Sequence, residues 1–305
     1  MRKIAVKNKD EVIKTKSDTS GDIERINYYQ SKVAKDDDIF EFGCNGCGDC
    51  CRHRDESIIL SGADVFRLAR YLQVKPDSLF AKHLEWSVGK TSRLPVVYLH
   101  EKATGSCAFL HKGLCSVHDV YLTACRIYPL GRMLCLEKAD GNLSMEEFIN
   151  KAKFQYFVQD VDDQCKKNKH QWVVKDYLET FHVRDHERED LAWQWALTHM
   201  VSKYRDRLES EEARHVFSKL AMVYMYVGYN IKKDYIEQLQ ENMDILDHLM
   251  STGFGKIIDN IDEINKTGKL PDEVIEEIKR DQDDQNEHSG QRETSDDQNN
   301  QSSND

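Results

Sequence analysis

Four cysteines fall within eight residues of this chain, at Cys44, Cys47, Cys50 and Cys51 in the run FGCNGCGDCCRH. The spacing is C-x-x-C-x-x-C-C, with Gly43, Gly46 and Gly48 beside or between the sulfurs. Such a run suits a tight turn wrapped around a metal ion or cluster. Glycine admits positive φ and a close backbone approach, and a two-residue spacer lets neighbouring thiolates reach one tetrahedral centre. The chemistry indicated is ligation rather than any particular reaction. The adjacent pair Cys50 and Cys51 leaves two arrangements open. In extended chain their side chains point to opposite sides and serve different sites; in a sharply folded turn both reach one metal.

The remaining cysteines are Cys107, Cys115, Cys125, Cys135 and Cys165, nine in all, an odd number that fits poorly with a closed disulfide framework. The opening MRKIAVKNKDEVIKTK lacks the apolar stretch of a signal peptide, and no uninterrupted apolar run approaches the roughly 18 residues of a membrane span. The expectation is a cytoplasmic chain with reduced thiols. Its 43 Lys and Arg against 54 Asp and Glu, a formal charge of -11, argue against nucleic acid or an anionic membrane as partner. Residues 44 to 135 go the other way, with 12 Lys and Arg against 8 Asp and Glu. Arg52, Arg54, Arg126 and Arg132 lie within seven positions of a cysteine, where they are expected to donate to thiolate sulfur.

Positioning these residues falls to the surrounding elements. Ser61 and Asp64 form an S-x-x-D cap, and Val65, Leu68, Ala69 and Leu72 follow at helical spacing, which predicts a short amphipathic helix over 62–73. Pro76 predicts the start of a second helix, with Leu79, Phe80, His83 and Leu84 on one face. Leu94 to His100 reads as a strand. CAFL-HKG-LCSV reads as a hairpin turning at Gly113, with Cys107 and Cys115 on facing strands. Beyond residue 187 there are no cysteines, and helical stripes take over. One runs through Ala213, Val216, Phe217, Leu220, Ala221 and Tyr224, another through Ile236, Leu239, Met243, Leu246 and Met250. Shorter helices are expected at 256–266 and after Pro271. Met222, Met225, Met243 and Met250, like Trp193 and Trp195, read as core packing groups.

These patterns divide the chain into a charged N-terminal arm (1–38), a cysteine-cluster metal-binding domain (39–182), a helical region (187–280) and a disordered acidic tail (281–305). The tail holds no aliphatic, aromatic or cysteine residue and so cannot offset chain entropy by burial. The fold class expected is mainly α. An irregular cysteine-rich metal-binding core with a small β-hairpin is joined to a helical C-terminal region, the ion replacing apolar burial as the organising force in the core.

The candidate ligands continue downstream. Cys107, Cys115 and Cys125 lie in GSCAFLHKGLCSVHDVYLTACRIYPLGR, and Cys165 lies in DDQCKKN. Together with FGCNGCGDCCR, LSGADVFRLARYL and CRIYP, this set resembles the YkgJ-like cysteine-cluster proteins, the CxxCxxCC or putative zinc- or iron-chelating family, over roughly residues 40 to 180. The resemblance implies an intracellular domain holding zinc or an iron–sulfur centre through Cys44, Cys47, Cys50, Cys51, Cys107, Cys115, Cys125 and Cys165. Two departures stand out: Tyr121-Leu122 replaces the Arg-Pro pair that the family places before its C-R-x-Y/F-P segment, and Lys166-Lys167 rather than glycine follow Cys165. Cys135 matches no motif position and reads as a buried apolar cysteine. His53 and His118 stand at ligand-like spacing from Cys51 and Cys115 and are secondary candidates. His111 reads as a solvated turn residue, and His182 and His186 as charged surface without an HExxH pattern.

Three functions are compatible with these residues. The first is a metal- or iron–sulfur-cluster-binding protein whose thiolate centre serves redox chemistry or metal handling. All-thiolate sites suit both zinc and iron–sulfur, and glycine N–H groups and nearby arginines favour iron–sulfur slightly. The second is a protein-modifying enzyme related to flagellin lysine methylase, although no glycine-rich loop is present to hold a methyl donor. The third is a zinc-stapled scaffold whose helical region binds a protein partner. Neither nucleic acid nor membrane is expected.

Overall fold

A computed structural model describes residues 27–44, 48–52, 58–120, 122–136, 143–159 and 170–280. More than half of these residues are helical, in keeping with the mainly α expectation. The acidic tail and residues 1–26 of the arm lie outside the described residues, as do Cys47, His53, Arg54 and Cys165.

The strands among the described residues are short. They are β1 (Ile39–Glu41), β2 (Ile59–Leu60), β3 (Leu84–Val88), β4 (Pro95–Leu99), β5 (Leu110–His111), β6 (Leu114–Cys115), β7 (Leu130–Cys135), β8 (Lys153–Val158) and β9 (Gln171–Val173). They form four small antiparallel sheets: β1 with β9, β2 and β3 flanking β4, β5 with β6, and β7 with β8. The end of the arm docks on the last of these. Val33 bridges Phe157, and the Tyr29 ring lies 4.5 Å from that of Phe157.

Helix α1 (Gly62–Leu72) forms where the cap and the apolar spacing place it. Ser61 Oγ accepts from the Asp64 N–H at 3.0 Å, and the Asp64 carboxylate accepts from the Ser61 N–H at 3.1 Å, so both orphan donors of the first turn are satisfied. The helix opened by Pro76 is corrected in length. It is a single 3₁₀ stretch, Pro76–Ala81, and Leu84 begins β3, because residues 84–88 pair in register with 95–99. The hairpin is corrected in register: Cys115 on β6 faces Leu110 on β5, and Cys107 precedes the hairpin.

Next come α2 (Thr123–Ile127), α3 (Met145–Lys151) and α4 (Val174–Thr180), then the long helices α5 (Glu187–Tyr204), α6 (Glu211–Met222) and α7 (Tyr235–Ser251). Helices α8 (Gly253–Asp259) and α9 (Ile261–Thr267) follow, with a last helical stretch over 272–280. The predicted stripes face inward: Ala213, Phe217 and Ala221 on α6, and Leu239, Met243, Leu246 and Met250 on α7, are all buried. Met222, Met225, Trp193 and Trp195 are buried as packing groups.

Two apolar cores result. The larger joins Leu60, Phe66, Leu79, Val97 and Phe109 to Trp193, Met200, Phe217 and Leu246, drawing on chain from both sides of residue 187. Each fully buried side chain of this size contributes about 1.5–3 kcal/mol. The smaller core is largely aromatic, with Phe40, Phe42, Tyr156 and Tyr177 around Ile127 and Leu130. Edge-to-face contacts at 5.3 Å (Phe40 to Tyr177) and 5.6 Å (Phe42 to Tyr128) tie β1 to α4 and to the chain after α2.

Candidate metal centre

The cysteine run turns sharply. Gly48 adopts φ +73°, the Cys51 N–H donates to the Gly48 carbonyl at 3.0 Å, and residues 49–51 form a 3₁₀ turn carrying Cys50 and Cys51. The two sulfurs of that adjacent pair lie 3.8 Å apart. Of the two arrangements the sequence left open, the folded turn is the one adopted.

Backbone hydrogen bonds bring distant chain to this turn. The Cys107 N–H donates to the Cys51 carbonyl at 2.8 Å, and Arg52 bridges Ser106. The Leu110 N–H donates to the Cys107 carbonyl at 3.0 Å, which seats the β5–β6 hairpin and Cys115 on the same side. Cys125 arrives on the middle of the short helix α2. The thiols are near enough to act on one another electrostatically: Cys50, Cys107 and Cys125 on Cys51; Cys115 on Cys107; Cys50 on Cys115; and Cys107, Cys50 and Cys115 on Cys125. Five thiols from four separate segments therefore share one neighbourhood.

Their environment resists ionisation. The Cys51 thiol is pushed far up by its contact with Cys50, then by burial and by the charges of neighbouring thiols. Burial raises Cys125, and Cys107, Cys50, Cys115 and Asp64 push the same way. Burial likewise raises Cys107 and Cys115; for Cys107 the Phe109 N–H, donating to its sulfur at 3.4 Å, and Lys102 work in the opposite sense. Cys107 is buried, Cys51, Cys115 and Cys125 are half-buried and Cys50 is exposed; thiols gathered in this way suit a bound cation, which would supply the charge that lets them deprotonate. The 3.8 Å sulfur pair fits as well, since a tetrahedron with metal–sulfur bonds of about 2.3 Å has sulfur–sulfur edges of about 3.8 Å. Among the described residues, no three His, Cys, Asp or Glu side chains stand close enough to hold an ion as placed. The donor chemistry fits a metal, and complete coordination requires the nest to tighten.

Residues 43–159 match the CxxCxxCC family, described as a putative zinc- or iron-chelating domain. No curated protein and no solved structure matches the chain. Zinc or iron chelation is the chemistry that this family description names, and Cys50, Cys51, Cys107, Cys115 and Cys125 all lie within the matched segment.

The other predicted residues fall as follows within and beside the matched segment. Cys44 is exposed and sits near Tyr177, at the edge of the aromatic core. Cys135 ends β7, half-buried rather than fully buried, paired across to Lys153. His118 is exposed in the turn His118–Val120, and His111 is exposed on the hairpin. Arg132 does not follow the expected direction toward sulfur: its guanidinium donates to Asp190 at 2.6 Å and lies 4.0 Å above the Phe154 ring. Arg126 is buried and donates to the carbonyls of His182 at 3.0 Å and Phe181 at 3.4 Å.

What sequence reasoning missed is the charged cluster beneath the nest. Arg67, only 7% exposed, donates to Asp64 at 2.9 Å, to Asp190 at 2.9 Å and to Glu189 at 2.7 Å. Asp64 also accepts from the N–H and the hydroxyl of Thr123, at 2.9 and 2.7 Å. Burial alone would push the Asp64 carboxyl up, but Arg67 and the Thr123 and Ser61 donors outweigh it and hold the group at about 2. The available signal was an arginine one turn into a capped helix, with its carboxylate at i-3.

Proposed function

We propose that the chain binds zinc or iron through a thiolate centre, and that this centre is its functional element. Cys50, Cys51, Cys107, Cys115 and Cys125 form the nest, and Cys44, Cys47 and Cys165 are further ligands on the family pattern. The observation that carries this reading is the convergence of thiols from separate segments: the Cys50 and Cys51 sulfurs lie 3.8 Å apart, the Cys107 N–H donates to the Cys51 carbonyl, and Cys115 and Cys125 stand close enough to influence them. When bound, zinc would brace the fold or act as a Lewis acid, whereas iron would add electron transfer.

The 3.8 Å pair narrows the choice. It suits two thiolates on one metal ion, as in a zinc site or on either iron of a two-iron cluster. A four-iron cluster held by four cysteines takes only one thiolate per iron and does not use such a pair. Within the iron–sulfur preference drawn from the sequence, the pair favours the two-iron form. A metal-stapled scaffold is the second reading. It is favoured by the larger core, against which Cys51, Cys115 and Cys125 pack directly.

Purification without oxygen, followed by metal analysis and an absorption spectrum, tests the proposal. Bound zinc with no visible absorption selects the zinc centre, and a brown protein carrying about two irons and two sulfides per chain, rather than four of each, selects the two-iron cluster. Cys50→Ser is expected to abolish stoichiometric binding, while Cys135→Ser leaves it intact. A chain that neither retains nor takes up either metal would sink the reading.

A further inference from the structure

Cys125 reaches the thiol nest on a helix of only five residues, too short to hold its own direction. Its first residue, Thr123, is fixed from outside. The Asp64 carboxylate accepts the Thr123 N–H at 2.9 Å and its hydroxyl at 2.7 Å, doing for α2 what a capping side chain does for a longer helix. The same oxygen accepts from Arg67 at 2.9 Å, and Arg67 also donates to the Thr123 hydroxyl at 3.0 Å. The other Asp64 oxygen accepts from the Ser61 N–H and hydroxyl, at 3.1 and 2.8 Å, locking the carboxylate to α1. Asp190 on α5 completes the clamp by holding Arg67 at 2.9 Å and Arg132 at 2.6 Å. All three central groups are buried: Asp64, Arg67 and Asp190 are 3%, 7% and 2% exposed.

So many donors on one buried carboxylate exceed what capping α1 requires. Its contacts with Ser61 alone complete the α1 capping box. The contacts that remain lead to Arg67 and to Thr123, two residues before Cys125. We propose that Asp64 is a positioning residue for the metal centre: through Thr123 it fixes α2 and so holds the Cys125 sulfur in register with Cys51 and Cys107. The proposal rests on the thiolate-centre reading above and adds to it a role for a residue that touches no metal. Groups that orient ligands from behind typically change metal affinity 10–100-fold when removed.

The test uses the full chain with thiols reduced and oxygen excluded, titrated with Co(II), whose thiolate complexes absorb in the visible and near ultraviolet. Asp64→Ala is expected to weaken Co(II) binding by about 10-fold or more and to reduce the sulfur-to-cobalt absorption as if one thiolate were lost. Thr123→Val keeps the clamp charged and should move both readouts the same way by a smaller factor. In a Cys125→Ser background both changes should have little further effect, because the residue through which they act is gone. Alkylation of the metal-free chain, read by mass spectrometry, should be faster at Cys125 in Asp64→Ala and unchanged at Cys135. Affinities within twofold of the parent chain for both variants, or losses that multiply with Cys125→Ser, would overturn the proposal. If Asp64→Ala does not fold, the Thr123→Val and Cys125→Ser cycle decides alone. If the parent chain takes up no Co(II), the metal reading fails, and the Cys125 alkylation rate still decides the positioning role.

Discussion

Gly48 shows how one residue sets the cysteine turn. It holds φ +73° just before Cys50 and Cys51, and a Cβ there would stand 2.9 Å from the Arg52 guanidinium. A side chain forced into the left-handed region costs about 1–2 kcal/mol, whereas Arg52 can swing away, so backbone strain rather than the clash decides the outcome. Gly48→Ala is expected to lower stability by about 1–2 kcal/mol and to weaken metal binding. Denaturant unfolding and a Co(II) titration would measure the two; an unchanged midpoint would mean that the turn relaxes freely. The glycines and thiols of this run could be read from the sequence because ligation is local and its spacing is written in adjacent residues. Arg67 could not. Within a helical pattern an arginine reads as part of the solvated face, and here its burial depends on Asp190, 123 positions away.

Elements with a period of their own were legible, and elements defined by a partner were not. The stripe on α1 and those on α6 and α7 emerge from 3.6-residue spacing, and the Ser61 and Asp64 cap marks the start of α1. The three-residue strands β1 and β9 are too short to show alternation, and they pair across a gap of more than 120 residues. Leu84, the first residue of β3, also suits the helical face that Leu79, Phe80 and His83 suggest, and only the pairing of β3 with β4 decides the matter. At the start of α1, a Cβ on Gly62 would meet the Met225 carbonyl oxygen at 2.4 Å and the Trp193 ring at 2.6 Å. Helix propensity favours Gly62→Ala by up to about 1 kcal/mol, while overpacking a dense core typically costs about 1–3 kcal/mol. The obstructing atoms include main chain, which cannot step aside as a side-chain end can. Overpacking wins, and Gly62→Ala should unfold at lower denaturant than the parent. A stabilised variant would show that α1 and the Val223–Val227 turn do not press together.

At the scale of the whole molecule, sequence texture and packing divide the chain differently. Composition changes near residue 187, where the cysteines have ended and the long helices begin, yet the larger core takes residues from both sides of that point. The Arg67 clamp crosses it as well, linking Asp64 on α1 to Asp190 on α5. Cys107 belongs to that core, and Cys51, Cys115 and Cys125 pack on its edge, so the thiol cluster forms part of the wall of the shared interior. Metal bound only by the folded state adds stability according to its free concentration, about 2.7 kcal/mol at 100 times the dissociation constant. For a folded unit of this size that corresponds to a loss of roughly 5–10 °C in Tm when the metal is removed. Because the core is shared, the loss should appear as one transition moving as a whole. Calorimetry with and without a chelator would follow it, alongside tryptophan fluorescence in a Trp86→Phe, Trp172→Phe background, where Trp193 and Trp195 report on the helical side. Coincident curves that shift together are expected. Two resolved transitions, with the chelator moving only the one that exposes the cysteines, would show that the helical region folds by itself and that the clamp and shared core do not couple it to the metal centre.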